Sequence, residues 1–376
     1  MTSFTHDDRC WMARALQLAR KGLYSTMPNP RVGCVLVRDG RIVGEGWHIR
    51  AGEGHAEVNA LTMAGSNALG ATAYVTLEPC SHQGRTPPCA QALINAGVSR
   101  VIAAMRDPNP RVDGGGFQLL EKARITTASG LLEEEAKALN PGFISRMVNQ
   151  RPLVRCKLAM SLDGRTAMAS GESQWITGPD ARSDVQQWRA RSCAIVTGVG
   201  SILQDDSSLT VRPAELHIDE PELAAEKQPL RVVLDSSLRI PLTAKILRQT
   251  GKTLVVTADS DREKQNALQS EGVEVVELPA PDGRVDLAAL MTLLGQRECN
   301  EVLVETGATL AGSFLQAGLL DELLVYMAPV LMGSAARPLF DLPLGNMSDR
   351  IPLTMTDVRR ICQDLRLTAV PGEPRW

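Results

Sequence analysis

Three features of the 376-residue chain predict two α/β domains in succession. Short β-branched and aliphatic runs alternate with helically spaced apolar residues along most of the length, the pattern of sheets covered by helices. Hydrophobic residues make up 44% of the chain, enough for cores of ordinary size. The helical pattern breaks at NPGFISRMVNQRP, Asn140 to Pro152, where a new series of strands begins. Domains over residues 1–147 and 148–376 are therefore expected.

Thr5 reads as an N-cap with Asp7 and Asp8 in the first turn, and Trp11, Ala15 and Leu18 recur at helical spacing until Gly22. VGCVLVRDGRIVGEGW, Val32 to Trp47, reads as two strands turning at Asp39-Gly40, a hairpin dipeptide. HAEVNALTMAG and CAQALINAG follow as helices, with ATAYVTLE, VSRVIAAM and ARITTAS as strands. In the second domain strands are expected at LVRCKLAMSLDGRTA, CAIVTGV, LRVVLDS, TLVVTA, VEVVEL, EVLVE and DELLVYMAPVLMG. The acidic, apolar-poor AELHIDEPELAAEKQ, Ala214 to Gln228, reads as a surface loop.

A net charge of −3 without a Lys/Arg block removes the footprint of a dedicated nucleic-acid binder. The N-terminus is acidic where a signal peptide would be basic, and no apolar run approaches the ~18 residues of a membrane span. A cytoplasmic protein is expected. Eight scattered cysteines are then thiols, not a disulfide framework.

Two of those cysteines sit in LEPCSHQGRTPPC, Leu77 to Cys89, downstream of GEGHAEVNA. If His55, Cys80 and Cys89 are ligands, zinc has an imidazole, two thiolates and a fourth position for water, the pattern of a catalytic site. Glu57 would stand near the metal as the group that takes the water's proton and passes it to a leaving amine. Residues two apart share one pocket only if His55 lies at a helix terminus, which Gly52 and Gly54 allow. On spacing alone, His82 competes with His55 as the imidazole. Pro87 and Pro88 would start a helix whose N-terminus stabilises the Cys89 thiolate. A non-enzymatic zinc module is the rival, and it leaves Glu57 without a task. In the second domain, GVGS at Gly198–Ser201 is a broken GxGxxG, and GATLAGS at Gly307–Ser313 is a Walker A pattern without its lysine. The latter still places a Gly turn between a strand and a helix, where free amides can hold a phosphate.

HAE, PC and a second Cys are similar to the zinc-dependent nucleotide deaminase pattern, except that eight residues separate the cysteines where two are usual. With PNPRVGCVLV and TLEPCSHQGRTPPC, that spacer resembles the pyrimidine deaminase half of the bifunctional riboflavin-biosynthesis deaminase-reductase family. KLAMSLDGRTA, ESQWITG, TGVGSILQDDSSLTVR and VETGATLAGSFLQAGLLDEL resemble its reductase half. The resemblance runs from the N-terminal helix to the strand around Tyr326 and leaves out the acidic segment and the tail PGEPRW.

The resemblance implies a cytidine-deaminase-like α/β/α sandwich followed by a dihydrofolate-reductase-like α/β domain. It implies Zn2+ on His55, Cys80 and Cys89, with Glu57 catalytic. Asn29, otherwise a turn residue, would hydrogen-bond the pyrimidine, while His48 is structural or pocket-lining. NADPH contacts would fall on Ala159, Trp175, Ser201, Asp205, Ser236 and the turn Gly307, Ala308, Thr309, Leu310, Ala311, Gly312 and Ser313. Substrate contacts would fall on Ser173, Arg189, Leu209, Arg212 and Glu305. Trp175 could instead belong to the core, and Lys157 and Asp205 are candidates for proton donor. The implied function is hydrolytic deamination of diaminohydroxy-phosphoribosylaminopyrimidine, then NADPH-dependent reduction of its ribosyl group to ribityl. The expected partners are that small pyrimidine ribosyl phosphate and further copies of the chain in a homo-oligomer, with neither nucleic acid nor membrane. A nucleic-acid base deaminase with an unrelated C-terminal domain is the other alternative.

Overall fold

The computed structural model describes residues 4–81, 88–110, 112 and 114–372, so His82 and Pro87 lie outside the described residues. The chain forms two compact units, Met1–Gln150 and Arg151–Trp376.

The first unit opens on helix His6–Lys21, capped by a reciprocal pair in which Thr5 accepts from the Asp8 N–H and Asp8 accepts from the Thr5 N–H. Strands β1 (Gly33–Arg38) and β2 (Arg41–Trp47) form the hairpin, with Asp39 and Gly40 both at positive φ as a tight two-residue turn requires. Strands β3 (Thr72–Val75), β4 (Arg100–Ala103) and β5 (Thr126–Ser129) complete a sheet ordered β2-β1-β3-β4-β5. β1 runs antiparallel to β2 and β3, while β3, β4 and β5 are parallel. The parallel pairs need crossovers, supplied by helices Cys89–Asn95 and Gly115–Lys122. The helical pattern does not end at Asn140: Pro141 starts a helix to Asn149, because proline is tolerated in a first turn.

Helix Ala56–Ala64 lies close against β2, with Ala56, Ala60 and Ala64 over Gly44 and Gly46, and it carries His55 at its N-cap. A Cβ on Gly46 would meet the Ala56 carbonyl at 2.4 Å and the Ala60 nitrogen at 2.5 Å. That backbone-to-backbone approach fixes where the helix begins.

The second unit contains β6 (Leu153–Ser161), β7 (Arg165–Ala167), β8 (Ala194–Gly198), β9 (Leu230–Leu234), β10 (Thr253–Thr257), β11 (Glu274–Glu277), β12 (Glu301–Glu305), β13 (Glu322–Ala328), β14 (Arg337–Pro338), β15 (Leu353–Ile361) and β16 (Asp364–Pro371). Nine of them form one sheet ordered β11-β10-β9-β8-β12-β6-β13-β16-β15, and β7 pairs with β14. From β11 to β13 all pairings are parallel, and the near-continuous apolar runs reflect burial on both faces. Val232, Val256 and Val304 join one core with helices Leu287–Gln296 and Ala308–Gln316. Val233, Val255 and Leu303 join another with helices Pro179–Arg191 and Val199–Asp205. The result is a three-layer α/β/α body.

One expectation is corrected here. Ala214–Gln228 is not a loop: it holds a 3-10 turn, Pro213–Glu215, and a helix, Pro221–Glu226, with Leu216, Ala224 and Ala225 buried. Regular structure also continues past the strand around Tyr326, as the antiparallel hairpin β15–β16.

Gly46→Ala is expected to destabilise the first unit by ~1–3 kcal/mol, the usual cost of overpacking. A lowered urea midpoint checks this.

Candidate active sites

The first site is assembled at two helix starts. His55 is the N-cap of Ala56–Ala64, with extended φ −71° and ψ 165°, and Glu57 is the second helical residue. Because regular geometry begins between them, the two side chains converge where interior helix positions would diverge. Cys89 opens helix Cys89–Asn95 directly after Pro88.

His55 Nδ1 lies 3.2 Å from Cys89 Sγ and 3.7 Å from Cys80 Sγ, and the three donor atoms all fall within 4.8 Å of one another. An imidazole and two thiols so spaced suit a tetrahedral zinc with one position open. Glu57 is buried and touches the Cys89 thiol. Burial, helped by negative charge at Cys80, pushes its carboxyl up to about 7. Cys80 is held down at about 4, chiefly by the hydrogen bond from the Cys89 thiol, while that bond and burial push Cys89 up. The Cys89 N–H at the helix start points to Cys80 Sγ at 3.3 Å, so the helix terminus serves the neighbouring sulfur.

Two further groups hold this site. His48 is buried, with Nδ1 3.1 Å from the Gly54 carbonyl and Nε2 3.0 Å from Asn29 Nδ2. A neutral ring donating to the carbonyl and accepting from the amide satisfies both bonds, in keeping with a pKa lowered by burial. His48 therefore orients Asn29, and its ring packs edge-on against His55 at 5.3 Å. Glu78, two residues before Cys80, is buried and accepts from the Gly114 and Gly116 N–H groups at 3.2 and 3.0 Å, with those of Asp107 and Phe117 at 3.4 and 3.5 Å. The role of Glu78 is not visible in the sequence, because its partners lie far away along it.

In the second unit a cleft of about 2000 Å³ opens at the carboxyl ends of the parallel strands. Pockets for one small ligand run ~300–1,000 Å³, so there is room for a dinucleotide and a substrate together. Every residue expected to touch nucleotide or substrate in this domain lines the cleft, except Ala311 and Gly312. Ala311 packs into the core and Gly312 backs onto the Asp341 carbonyl, since a helix turns successive side chains to different sides. Trp175 is not core: it is 69% exposed, with the Arg182 guanidinium 4.5 Å over its ring. Helix Ala308–Gln316 begins at the cleft from Gly307 with no side-chain cap, leaving first-turn amides for an anion such as a dinucleotide phosphate.

Charge in the cleft is closely paired. Arg189 forks onto Glu305 at 2.6 and 2.8 Å. Lys157 stands opposite Glu305 in the β6–β12 register, and burial lowers its pKa. Burial would raise the Glu305 carboxyl, but Arg189 outweighs it and the net shift is downward. Burial raises the Asp205 carboxyl, which takes a hydrogen bond from Ser173. The sequence reading missed Gln186 and Glu215, which also line the cleft. Gln186 lies three residues before Arg189 on the same helix, a spacing that would have placed it on the same face.

Residues 5–105 match the model of the cytidine and deoxycytidylate deaminase zinc-binding region, and residues 152–367 match the RibD C-terminal domain. The chain is 51% identical over 367 residues to riboflavin biosynthesis protein RibD of Escherichia coli (strain K12), covering 96% of this chain and 99% of that protein. It is 48% identical over 375 residues to that of Haemophilus influenzae, covering 99% of each. Among solved structures, Acinetobacter baumannii RibD matches with a TM-score of 0.91 at 48% identity, covering 98% of this chain and 99% of that one. A diaminohydroxyphosphoribosylaminopyrimidine deaminase/5-amino-6-(5-phosphoribosylamino)uracil reductase from Thermotoga maritima matches with a TM-score of 0.83 at 30% identity, covering 98% and 99%. An unrelated C-terminal domain is thereby excluded. A cytidine-deaminase-like fold and a dihydrofolate-reductase-like fold stand in series, and the chain belongs to the RibD family of bifunctional, zinc- and NADPH-using deaminase-reductases of riboflavin biosynthesis.

Proposed function

We propose that Met1–Gln150 removes the ring amine of diaminohydroxy-phosphoribosylaminopyrimidine and that Arg151–Trp376 reduces the ribosyl group of the product to ribityl. The observation that carries the reading is the meeting of His55 Nδ1 and the thiols of Cys80 and Cys89 beside a buried Glu57. In this reading those three side chains hold zinc, which when bound supplies the Lewis acidity that brings a water toward ionisation near neutral pH. Glu57 takes the water's proton and returns it to the leaving nitrogen, so that water and the amine become a ring carbonyl and ammonia. Asn29, oriented by His48, holds the pyrimidine edge.

In the cleft NADPH is the hydride source. The turn that starts at Gly307 would hold its phosphates, and Trp175, Ala159, Ser201, Asp205 and Ser236, which line the same cleft, would complete its contacts. Arg189 and Arg212 take the substrate phosphate, because a guanidinium fork matches phosphate oxygens two at a time. Ser173, Leu209 and Glu305 contact the rest of the substrate. Lys157, half-buried beside Glu305 at the cleft wall, supplies the proton that accompanies hydride addition at the ribosyl carbon.

No helix among the described residues is long and apolar enough to cross a membrane, and we place the chain in the cytoplasm. A homo-oligomer is supported by β15, which ends the nine-stranded sheet with an unpaired edge and leaves Leu353, Met355 and Val358 exposed.

Glu57→Gln is expected to cut ammonia release by ~10²–10⁴-fold with zinc retained, read by ammonia assay and metal analysis. An active variant would sink the assigned mechanism and favour a non-catalytic zinc module. Cys89→Ser is expected to purify depleted of zinc and without ammonia release, yet still oxidise NADPH when given the deaminated pyrimidine. Arg212→Ala is expected to raise the reductase KM for substrate by ~10–100-fold, the loss of a charge-assisted hydrogen-bond pair, with ammonia release intact. Equal loss of both activities would separate Arg212 from the phosphate.

A further inference from the structure

Arg212 does not meet the cleft unpartnered. Its Nε lies 2.6 Å from Glu215 Oε1 and its Nη2 donates to Oε2 at 2.7 Å, so the carboxylate fills the same fork that would take a phosphate. Glu215 is held there by its backbone. Its N–H donates to the Arg212 carbonyl at 3.0 Å, its carbonyl accepts the Ser183 hydroxyl at 2.7 Å, and the next residue, Leu216, is buried. Gln186 spans the pair, accepting the Arg212 N–H at 3.2 Å and donating to Glu215 Oε2 at 3.2 Å. Both ionic side chains remain partly open to solvent, at 49% and 41% exposure, so exchange of partners is sterically free.

We propose that Glu215 is a specificity-determining residue of the reductase site, a built-in competing anion that the substrate's phosphate must displace from Arg212. This rests on the reading of Arg212 as a phosphate contact. In the free cleft the Arg189 fork is filled by Glu305 and the Arg212 fork by Glu215, so a stray monoanion finds neither guanidinium vacant. A phosphate monoester carries about two negative charges near neutral pH and outbids a single carboxylate on the fork. A monoanion gains nothing by the exchange. Gln186 stays in reach of Arg212 through its backbone and keeps the arginine's position while the carboxylate leaves. An exposed ion pair is worth ~0–1 kcal/mol, so removing the competitor should tighten phosphate binding by up to about fivefold.

The test uses the full-length, zinc-loaded enzyme in an NADPH-oxidation assay on the deaminated pyrimidine, with inorganic phosphate as competitive inhibitor. Glu215→Gln is expected to lower the phosphate inhibition constant roughly two- to fivefold and to lower substrate KM in parallel, with the change on KM and not on kcat. Weaker phosphate and substrate binding in Glu215→Gln would make Glu215 a mere buttress of Arg212 and overturn the proposal, as would no change in either constant. Arg212→Ala run alongside separates the two layers. If it leaves KM unchanged, the phosphate assignment itself fails; if it raises KM while Glu215→Gln lowers nothing, only the competing-anion role fails.

Discussion

A helix can bring residues two apart to a single point only if it begins between them, and the geometry of the first unit follows from that constraint. The start of Ala56–Ala64 is set by its contact with β2, where Gly46 lets backbone touch backbone. His55 is thereby left in extended geometry with Nδ1 aimed at two thiols, while Glu57 turns inward to a buried position. Shifting that start by one residue would move Glu57 about a hundred degrees around the axis, away from the cysteines. The other helix start, after Pro88, carries the second sulfur and lends its first amide to Cys80. Backbone positions, more than side-chain attractions, thus define the site.

The second unit solves a different problem, that of keeping strong charges in a cleft without leaving any uncompensated. An ion withdrawn from water without a partner is costly, and Arg189 from its helix and Lys157 from β6 both face the Glu305 carboxylate on β12. Parallel strands ending at one edge make this possible, since their register fixes Lys157 beside Glu305 whatever the surrounding loops do. Binding chemistry and structural neutrality are met by the same atoms.

Much of this was legible in the sequence, and the failures have physical causes. The cluster of His55, Cys80 and Cys89 could be read because ligand chemistry restricts residue types so severely that the three stand out even across a long spacer. The hairpin at Asp39-Gly40 and the cap at Thr5 could be read because local backbone chemistry decides them. The Gly307–Ser313 run was read as one continuous contact, but only part of it can line the cleft once it winds into a helix. Composition hid Leu216, Ala224 and Ala225 among acidic neighbours, so the segment that carries Glu215 passed for solvent-facing chain. LTMTDVRRI lacks an apolar run because β15 is largely exposed, and its pairing with β16 is what makes it a strand. Asn29 was singled out by family resemblance alone, and its orientation depends on His48, nineteen residues downstream.

Glu78 shows how such a site withstands sequence change. Its carboxylate is tied to main-chain N–H groups from Asp107 to Phe117, and every residue type except proline carries that group. At those four positions the anchoring of the segment that delivers Cys80 runs through the main chain, although Phe117 also packs in the core and Asp107 also caps Asn109. Close packing adds its own limits: a Cβ on Gly116 would meet the Pro79 carbonyl at 1.9 Å, immediately before the cysteine, and one on Gly115 the Ser81 hydroxyl at 2.7 Å, immediately after it. Anchoring through the backbone thus makes the placement of Cys80 depend on the Glu78 carboxylate and on glycines that let two loops touch, rather than on any side chain of the facing loop.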